Sequence, residues 1–250
     1  MTKTAFITGA TAGFGKAMAE RYASEGWQLV LTGRRTERLD ELKAALAPAP
    51  VHTICFDIRD RKACQYAVAA IPDEFAAIDV LVNNAGLALG TEPAQDCDLD
   101  EWETMIDTNI KGLLYITKAL LPGMIERNTG HIVNLGSVAG TYPYPGGNTY
   151  GGTKAFVKQF SMNLLADLLG TKIRVTNIEP GLCESEFSIV RFRGDKDKAD
   201  SVYAGTEPIL PSDIAECVYW TTALPPHINI NSMEIMPVDQ AFSPFAINRD

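Results

Sequence analysis

A chain of 250 residues, 46% hydrophobic and 21% charged, is long enough to bury a sizeable core as one α/β domain, and it carries no disordered, collagen-like or low-complexity stretch. Its net charge of −9 argues against a general nucleic-acid or anionic-membrane surface, which needs clustered Lys and Arg. Five scattered cysteines (Cys55, Cys64, Cys97, Cys183 and Cys217) with no C-x-x-C pair fit neither a metal site nor a disulfide framework. The chain runs directly into "TAFITG", without a basic and then apolar leader, and no apolar run approaches the ~18 residues of a spanning helix. The expectation is a reduced, cytoplasmic protein.

In chain order, short β-branched runs fall at 4–8, 28–32, 52–56, 80–83, 131–135, 173–178 and 233–237, with helix-length segments between them. Runs apolar on both faces and too short for helices suit a parallel sheet covered on both sides. The fold class is therefore doubly wound α/β. Gly26 closes the first helix, Asp98 followed by Glu101 resembles a capping box, and Pro211 opens the last helix. Residues 182–206, with "RFRGDKDKAD" at their centre, show no clear periodicity and read as a long functional or mobile loop.

The first run leads into "TGATAGFG", where Gly9, Gly13 and Gly15 let the backbone turn tightly against a pyrophosphate at the positive end of the following helix. The strand before and helix after supply the context that a dinucleotide site requires. The second strand ends "LTGRR". An NAD site would present an Asp or Glu there for the ribose 2′-hydroxyl, whereas Arg34 and Arg35 suit a 2′-phosphate. The cofactor expected is NADP(H), with Arg34 the leading contact. Asp57 either accepts from the adenine amino group or caps the next helix.

"YGGTK", 150–154, places a phenol and an ammonium one helical turn apart around two glycines that weaken a helix by about 1 kcal/mol each. With "TGATAGFG", "FDI", "NNAG", Asn109, "NLGSVAG" and "EPG" in this order, the chain resembles a short-chain dehydrogenase/reductase from end to end. That resemblance implies a single Rossmann-type domain over 1–250 with a seven-stranded parallel sheet, an assembly of subunits, and hydride transfer between NAD(P) and an alcohol or carbonyl. It assigns Tyr150 as acid/base, Lys154 as its electrostatic partner, Ser137 as the group polarising the substrate oxygen, and Asn109 as the anchor of a proton-relay water. The chemistry agrees, because a phenol of ordinary pKa near 10 is a poor base at neutral pH unless nearby positive charge favours its anion. Gly151 and Gly152 are then minimal side chains where the helix meets neighbouring backbone. Thr11, Phe14, Ile58, Asn83, Ala85, Gly86, Pro180 and Gly181 complete the expected cofactor contacts, together with Tyr150 and Lys154.

The stretches "LCESEFSIVRFRGDKDKADSVY" and "HININSMEIMP" resemble those of NADP-dependent 3-hydroxy acid dehydrogenases, whose relatives reduce sulfoacetaldehyde. All such substrates carry an acid group. Arg191 or Arg193, in the lid at 182–206, would pair with it, unless salt bridges with Asp195 or Asp197 claim them. Ser137, Tyr144, Gly147 and Tyr150 are the other expected substrate neighbours. No metal is expected. A protein that senses NADP(H) without chemistry would have no use for a tyrosine base, and a broad carbonyl reductase remains an alternative within the enzymes. The apolar tail at 238–250 reads as a subunit interface, and a homotetramer is expected.

Overall fold

Successive strand residues point to opposite faces, so strands whose every position is apolar must be covered on both sides. The computed structural model, which describes residues 2–242 and 247, has that arrangement. Strands β1 (Thr4–Ile7), β2 (Gln28–Gly33), β3 (Val51–Cys55), β4 (Ile78–Asn83), β5 (Gly130–Leu135), β6 (Ile173–Pro180) and β7 (Ser232–Ile235) form one sheet. Their order is β3-β2-β1-β4-β5-β6-β7, and each pairing is parallel.

On one face, Ala5, Ile7, Leu29, Leu31, Val80 and Val82 pack on α1 (Gly13–Ser24), α2 (Thr36–Ala45) and α9 (Pro211–Ala223) through Met18, Tyr22, Leu39, Leu42 and Val218. The opposite face buries Phe6, Val30, Leu81 and Ile132 against α3 (Arg61–Ala69), α5 (Leu113–Arg127) and α6 (Asn148–Asp167). Strand order reverses between β1 and β4, and a crevice opens at their carboxyl ends. Thr8 donates its N–H to the Val82 carbonyl there (3.1 Å), holding the start of the glycine-rich loop against β4.

Local expectations at the helix ends hold in two cases. Gly26, at φ +75°, follows α1, and Pro211 is the first residue of α9. Two differ. Asp98 caps α4 (Leu99–Ile106) by accepting from Asp100 N–H at 2.9 Å, but the Glu101 carboxylate is taken by Arg193, so the reciprocal half of a capping box is missing. Residues 182–206 contain two short helices, α7 (Glu186–Arg191) and α8 (Lys196–Ser201). Ser185 and Asp195 cap them by accepting from the Phe187 and Lys198 amides, a signal visible in the sequence but too short to show periodicity. The tail from 243 to 250 lies, apart from residue 247, outside the described residues.

Candidate active site

The cofactor end of the crevice is built largely from main chain. Gly9 and Gly13 adopt φ +66° and +51°, a region that favours glycine. A Cβ on Gly9 would lie 3.0 Å from Ala85 Cα, and one on Gly15 would strike the Gly9 carbonyl oxygen. Gly15 thus permits close packing beneath the loop, while Thr11, Gly13 and Phe14 line the cleft above it. The residue before α1, Ala12, offers no side-chain cap, so the first amides of that helix face the cleft without an internal partner.

The arginines are arranged unequally. Arg34 is 60% exposed, with a guanidinium nitrogen 3.9 Å from the Asp57 carboxylate. Arg35 donates to Thr11 Oγ1 at 2.7 and 3.2 Å and lies 3.4 Å from Glu186. Asp57 does not cap α3; Asp60 does, accepting from the Lys62 and Ala63 amides. Asp57 lines the cleft with its carboxylate held by Arg59 at 2.6 to 3.0 Å, and that pairing keeps its pKa below the usual carboxylate value.

Ile58, Ala85 and Gly86 line the same cleft. Asn83 does not: it is buried below, donating to Thr117 and Asn134 at 2.9 Å. Its neighbour Asn84, passed over in the sequence reading, lines the cleft and ties down the loop by donating to the Thr8 and Gly9 carbonyls at 2.8 and 3.2 Å. The doubled asparagine of "NNAG" was the available signal.

At the other end, Tyr150 and Lys154 emerge from α6 into the cleft, both buried. Gly151 lets this helix approach the turn after β5, since its Cβ would sit 2.9 Å from the Ala139 carbonyl oxygen. Gly152 has no such role, with nothing within 4 Å of a Cβ placed there. Lys154 Nζ lies 5.8 Å from the Tyr150 ring centre and donates to the Leu135 carbonyl at 2.6 Å. Burial lowers the lysine to about 8 and raises the phenol above its ordinary 10. Tyr144 also raises the phenol, while a hydrogen bond with Ser137 and the Arg191 guanidinium oppose the rise.

Ser137 accepts from Ala139 N–H at 3.1 Å and donates to the Pro180 carbonyl at a long 3.4 Å, a weak bond that leaves the hydroxyl free to turn into the cleft it lines. Pro180 and Gly181 line the cleft too. Asn109 lies in a π-helical turn, Asp107–Gly112, of the kind that recurs at functional sites. It accepts from Leu87 N–H and donates to the Leu87 carbonyl and Thr153 Oγ1 at 2.8 to 3.0 Å, so both side-chain protons are committed.

Beneath these groups the buried Glu179 carboxylate accepts from Lys158 (2.9 Å), Asn177 (2.8 Å) and Ser232, joining α6, β6 and β7 behind the cleft.

The 182–206 segment covers the Tyr150 end, where Cys183, Phe187 and Val190 line the cleft, and the Phe187 ring centre lies 5.6 Å from that of Tyr150. The two arginines separate here. Arg191 donates to Tyr144 Oη at 2.8 Å and the Gly90 carbonyl at 3.2 Å, with its guanidinium carbon 5.9 Å from the Tyr150 ring centre. Arg193 is turned away, pairing with Glu92 and Glu101 at 2.6 to 2.9 Å rather than with Asp195 or Asp197. Gly147 is the seat of the Tyr144 ring, whose Cε1 lies 2.5 Å from a Cβ built there; neither of these residues nor Arg191 is part of the cleft lining, and Tyr144 packs in the same cluster as Tyr150.

Among the described residues no group of three or more His, Cys, Asp or Glu side chains could hold a metal, and no helix is long and apolar enough to cross a membrane.

Comparison with known proteins agrees with this geometry. The chain is 54% identical over 250 residues to a serine 3-dehydrogenase of Rhizobium radiobacter, all of both chains being covered. It is 53% identical to a sulfoacetaldehyde reductase of Chromohalobacter salexigens, again over the whole of each. A closed form of serine dehydrogenase complexed with NADP+ superposes with a TM-score of 0.95 at 52% identity, covering 99% of this chain and 100% of that one. The short chain dehydrogenase family model matches residues 3–195, and the chain belongs to that family.

Proposed function

We propose that the protein transfers a hydride between NADP(H) and a short acid-bearing alcohol or aldehyde: a 3-hydroxy acid such as serine, allo-threonine or 3-hydroxypropionate, or in reverse a semialdehyde. The residues at the cofactor end fit that group. The glycine cradle that a Cβ would fill, the uncapped start of α1, and Arg34 and Arg35 offer amides and guanidinium groups to phosphates. When bound, the cofactor gives or takes the hydride and, oxidised, adds a positive charge beside Tyr150.

The chain's own residues handle the proton. Ser137 donates to the substrate oxygen, and Tyr150 exchanges the proton with it. Because burial raises the phenol, the chain by itself favours the neutral, proton-donating form suited to carbonyl reduction. In the direction of alcohol oxidation the phenolate is needed, and Lys154, charged below about 8, helps to support it. The side chain of Asn109 is committed within the π turn, so a relay water held there would meet the main chain or the remaining lone pair of Oδ1.

The observation that carries the substrate class is Arg191, a lid guanidinium 5.9 Å from the Tyr150 ring centre that, among the described residues, is held by the uncharged Tyr144 hydroxyl and Gly90 carbonyl. A carboxylate near the reacting carbon would complete it. Arg191→Ala should raise KM for 3-hydroxypropionate about tenfold or more while leaving an uncharged aldehyde of similar size little changed. Equal losses on both substrates would make Arg191 a lid support only.

Sulfoacetaldehyde reduction is the alternative, since a sulfonate meets a guanidinium equally well and a sulfoacetaldehyde reductase is 53% identical. Rates on serine, 3-hydroxypropionate and sulfoacetaldehyde separate the two. We further place the protein in the cytoplasm, where its five free cysteines suit a reducing compartment. It is one domain with a lid at 182–206, and an interface tail at 238–250 makes it a homotetramer. Exposed Trp220, Val238 and Phe242 supply apolar surface for that contact. A monomer in light scattering would contradict the assembly.

A further inference from the structure

The start of the lid sits on the phosphate loop, with Ser185 Cβ 3.5 Å from the position of a Cβ on Gly13. The next residue, Glu186, meets two guanidinium groups at the cleft rim. Arg38 Nη1 donates to both its carboxylate oxygens at 2.9 Å, and Arg35 Nη1 lies 3.4 Å from one of them. Arg35 also holds Thr11 of the phosphate loop at 2.7 Å. Arg35 therefore joins the loop to the lid, and Glu186 joins the lid to α2 through Arg38. Arg34, by contrast, makes among the described residues only the 3.9 Å approach to Asp57.

We propose that Glu186 is a competing anion for the arginines that receive the cofactor 2′-phosphate, so that the phosphate must displace its carboxylate from Arg35. This rests on the NADP reading above. A phosphate monoester carries about −1.5 to −2 charges at neutral pH and a carboxylate −1, and Arg35 is within reach of only one of them without repulsion from the other. A nucleotide without the 2′-phosphate leaves the Glu186 contacts undisturbed. Glu186 thus opposes the 2′-phosphate specifically, moderating affinity for a cofactor that must leave after each turnover. Arg38, in the first turn of α2, gives Glu186 an anchor of its own; when the phosphate takes Arg35, the carboxylate remains tethered to α2.

The test uses the full chain and two fragments that lack nicotinamide, adenosine 2′,5′-bisphosphate and adenosine 5′-monophosphate, titrated calorimetrically against the wild type and Glu186→Gln. The exposed setting limits the effect to about two- to fivefold. The variant should bind the bisphosphate tighter by that factor and the monophosphate unchanged, with the gain shrinking at high salt. Unchanged or weaker bisphosphate binding, or an equal gain for both nucleotides, overturns the inference. A wild type with no preference for the bisphosphate overturns the NADP reading and the inference with it.

Discussion

The two ends of the cleft hold their shape by different means. At the cofactor end the loop from Thr8 to Gly15 is set by glycine conformation and main-chain contacts within β1, α1 and β4, with Asn84 as the main side-chain tie. At the lid end the chain is held by charged side chains reaching across long sequence separations: Arg193 to Glu92 and Glu101, and Glu186 to Arg38. Backbone geometry is stiff because few residues can adopt it. Exposed ion pairs are weak and screened, typically worth under about 1 kcal/mol. Stiff construction at one end and reversible contacts at the other suit the function proposed above, in which the cleft grips phosphates and opens for substrate.

Substitutions at each end sharpen this contrast. The largest effect is expected where the ends meet: Tyr150→Phe should lower turnover by about 10²- to 10⁴-fold while NADP affinity, measured by fluorescence titration, stays near native. Near-native turnover would sink the mechanism.

At the stiff end, Gly15→Ala places a Cβ 2.6 Å from Asn84 Nδ2 and against the Gly9 carbonyl oxygen. Thermal unfolding should show a loss of about 1–3 kcal/mol, because overpacking against backbone has no cheap relief. An unaltered melting temperature would mean that the loop yields as readily as the lid.

The Arg34→Ala/Arg35→Ala double variant should leave the fold intact but lose about ten- to a hundredfold in NADP affinity, with NAD affinity little changed. Retained preference for NADP would remove both residues from phosphate recognition.

The smallest effect belongs to the lid. Arg193→Ala removes exposed pairs and should cost under about 1 kcal/mol of stability. Its pH dependence carries a sign. Arg193 holds the Glu92 carboxyl down to about 2 from an ordinary 4.5, so this stabilisation is present above 4.5 and is lost as pH falls towards 2. The difference in Tm between wild type and variant should therefore narrow across that window; a constant difference would mean that Arg193 acts through packing alone.

Much of the cofactor end was legible from residue order, because the requirements there are local. Glycine is needed where φ is positive, and two arginines follow directly on the strand that presents them. Asn83 serves as scaffold below the cleft while Asn84 lines it, a division the sequence does not show because it does not say which of two adjacent asparagines turns outward at a strand's end. The lid was less legible. Nothing in "RFRGDKDKAD" distinguishes Arg191 from Arg193, and the partners that do so, Gly90, Tyr144, Glu92 and Glu101, lie 47 to 101 residues away.

From the sequence by itself came the seven strands, a doubly wound parallel sheet and the glycines of the phosphate loop, because hydrophobic period and glycine placement act over a few residues, whereas the roles expected of Tyr150, Lys154 and Ser137 came from the resemblance of the ordered motifs to a family. Only the tertiary structure decided which arginine faces Tyr150, that Gly147 seats Tyr144 rather than forming a cleft wall, and that Glu186 closes on Arg35 and Arg38. Those outcomes depend on which distant carboxylate or carbonyl reaches a given guanidinium first, and chain separation carries no record of that competition.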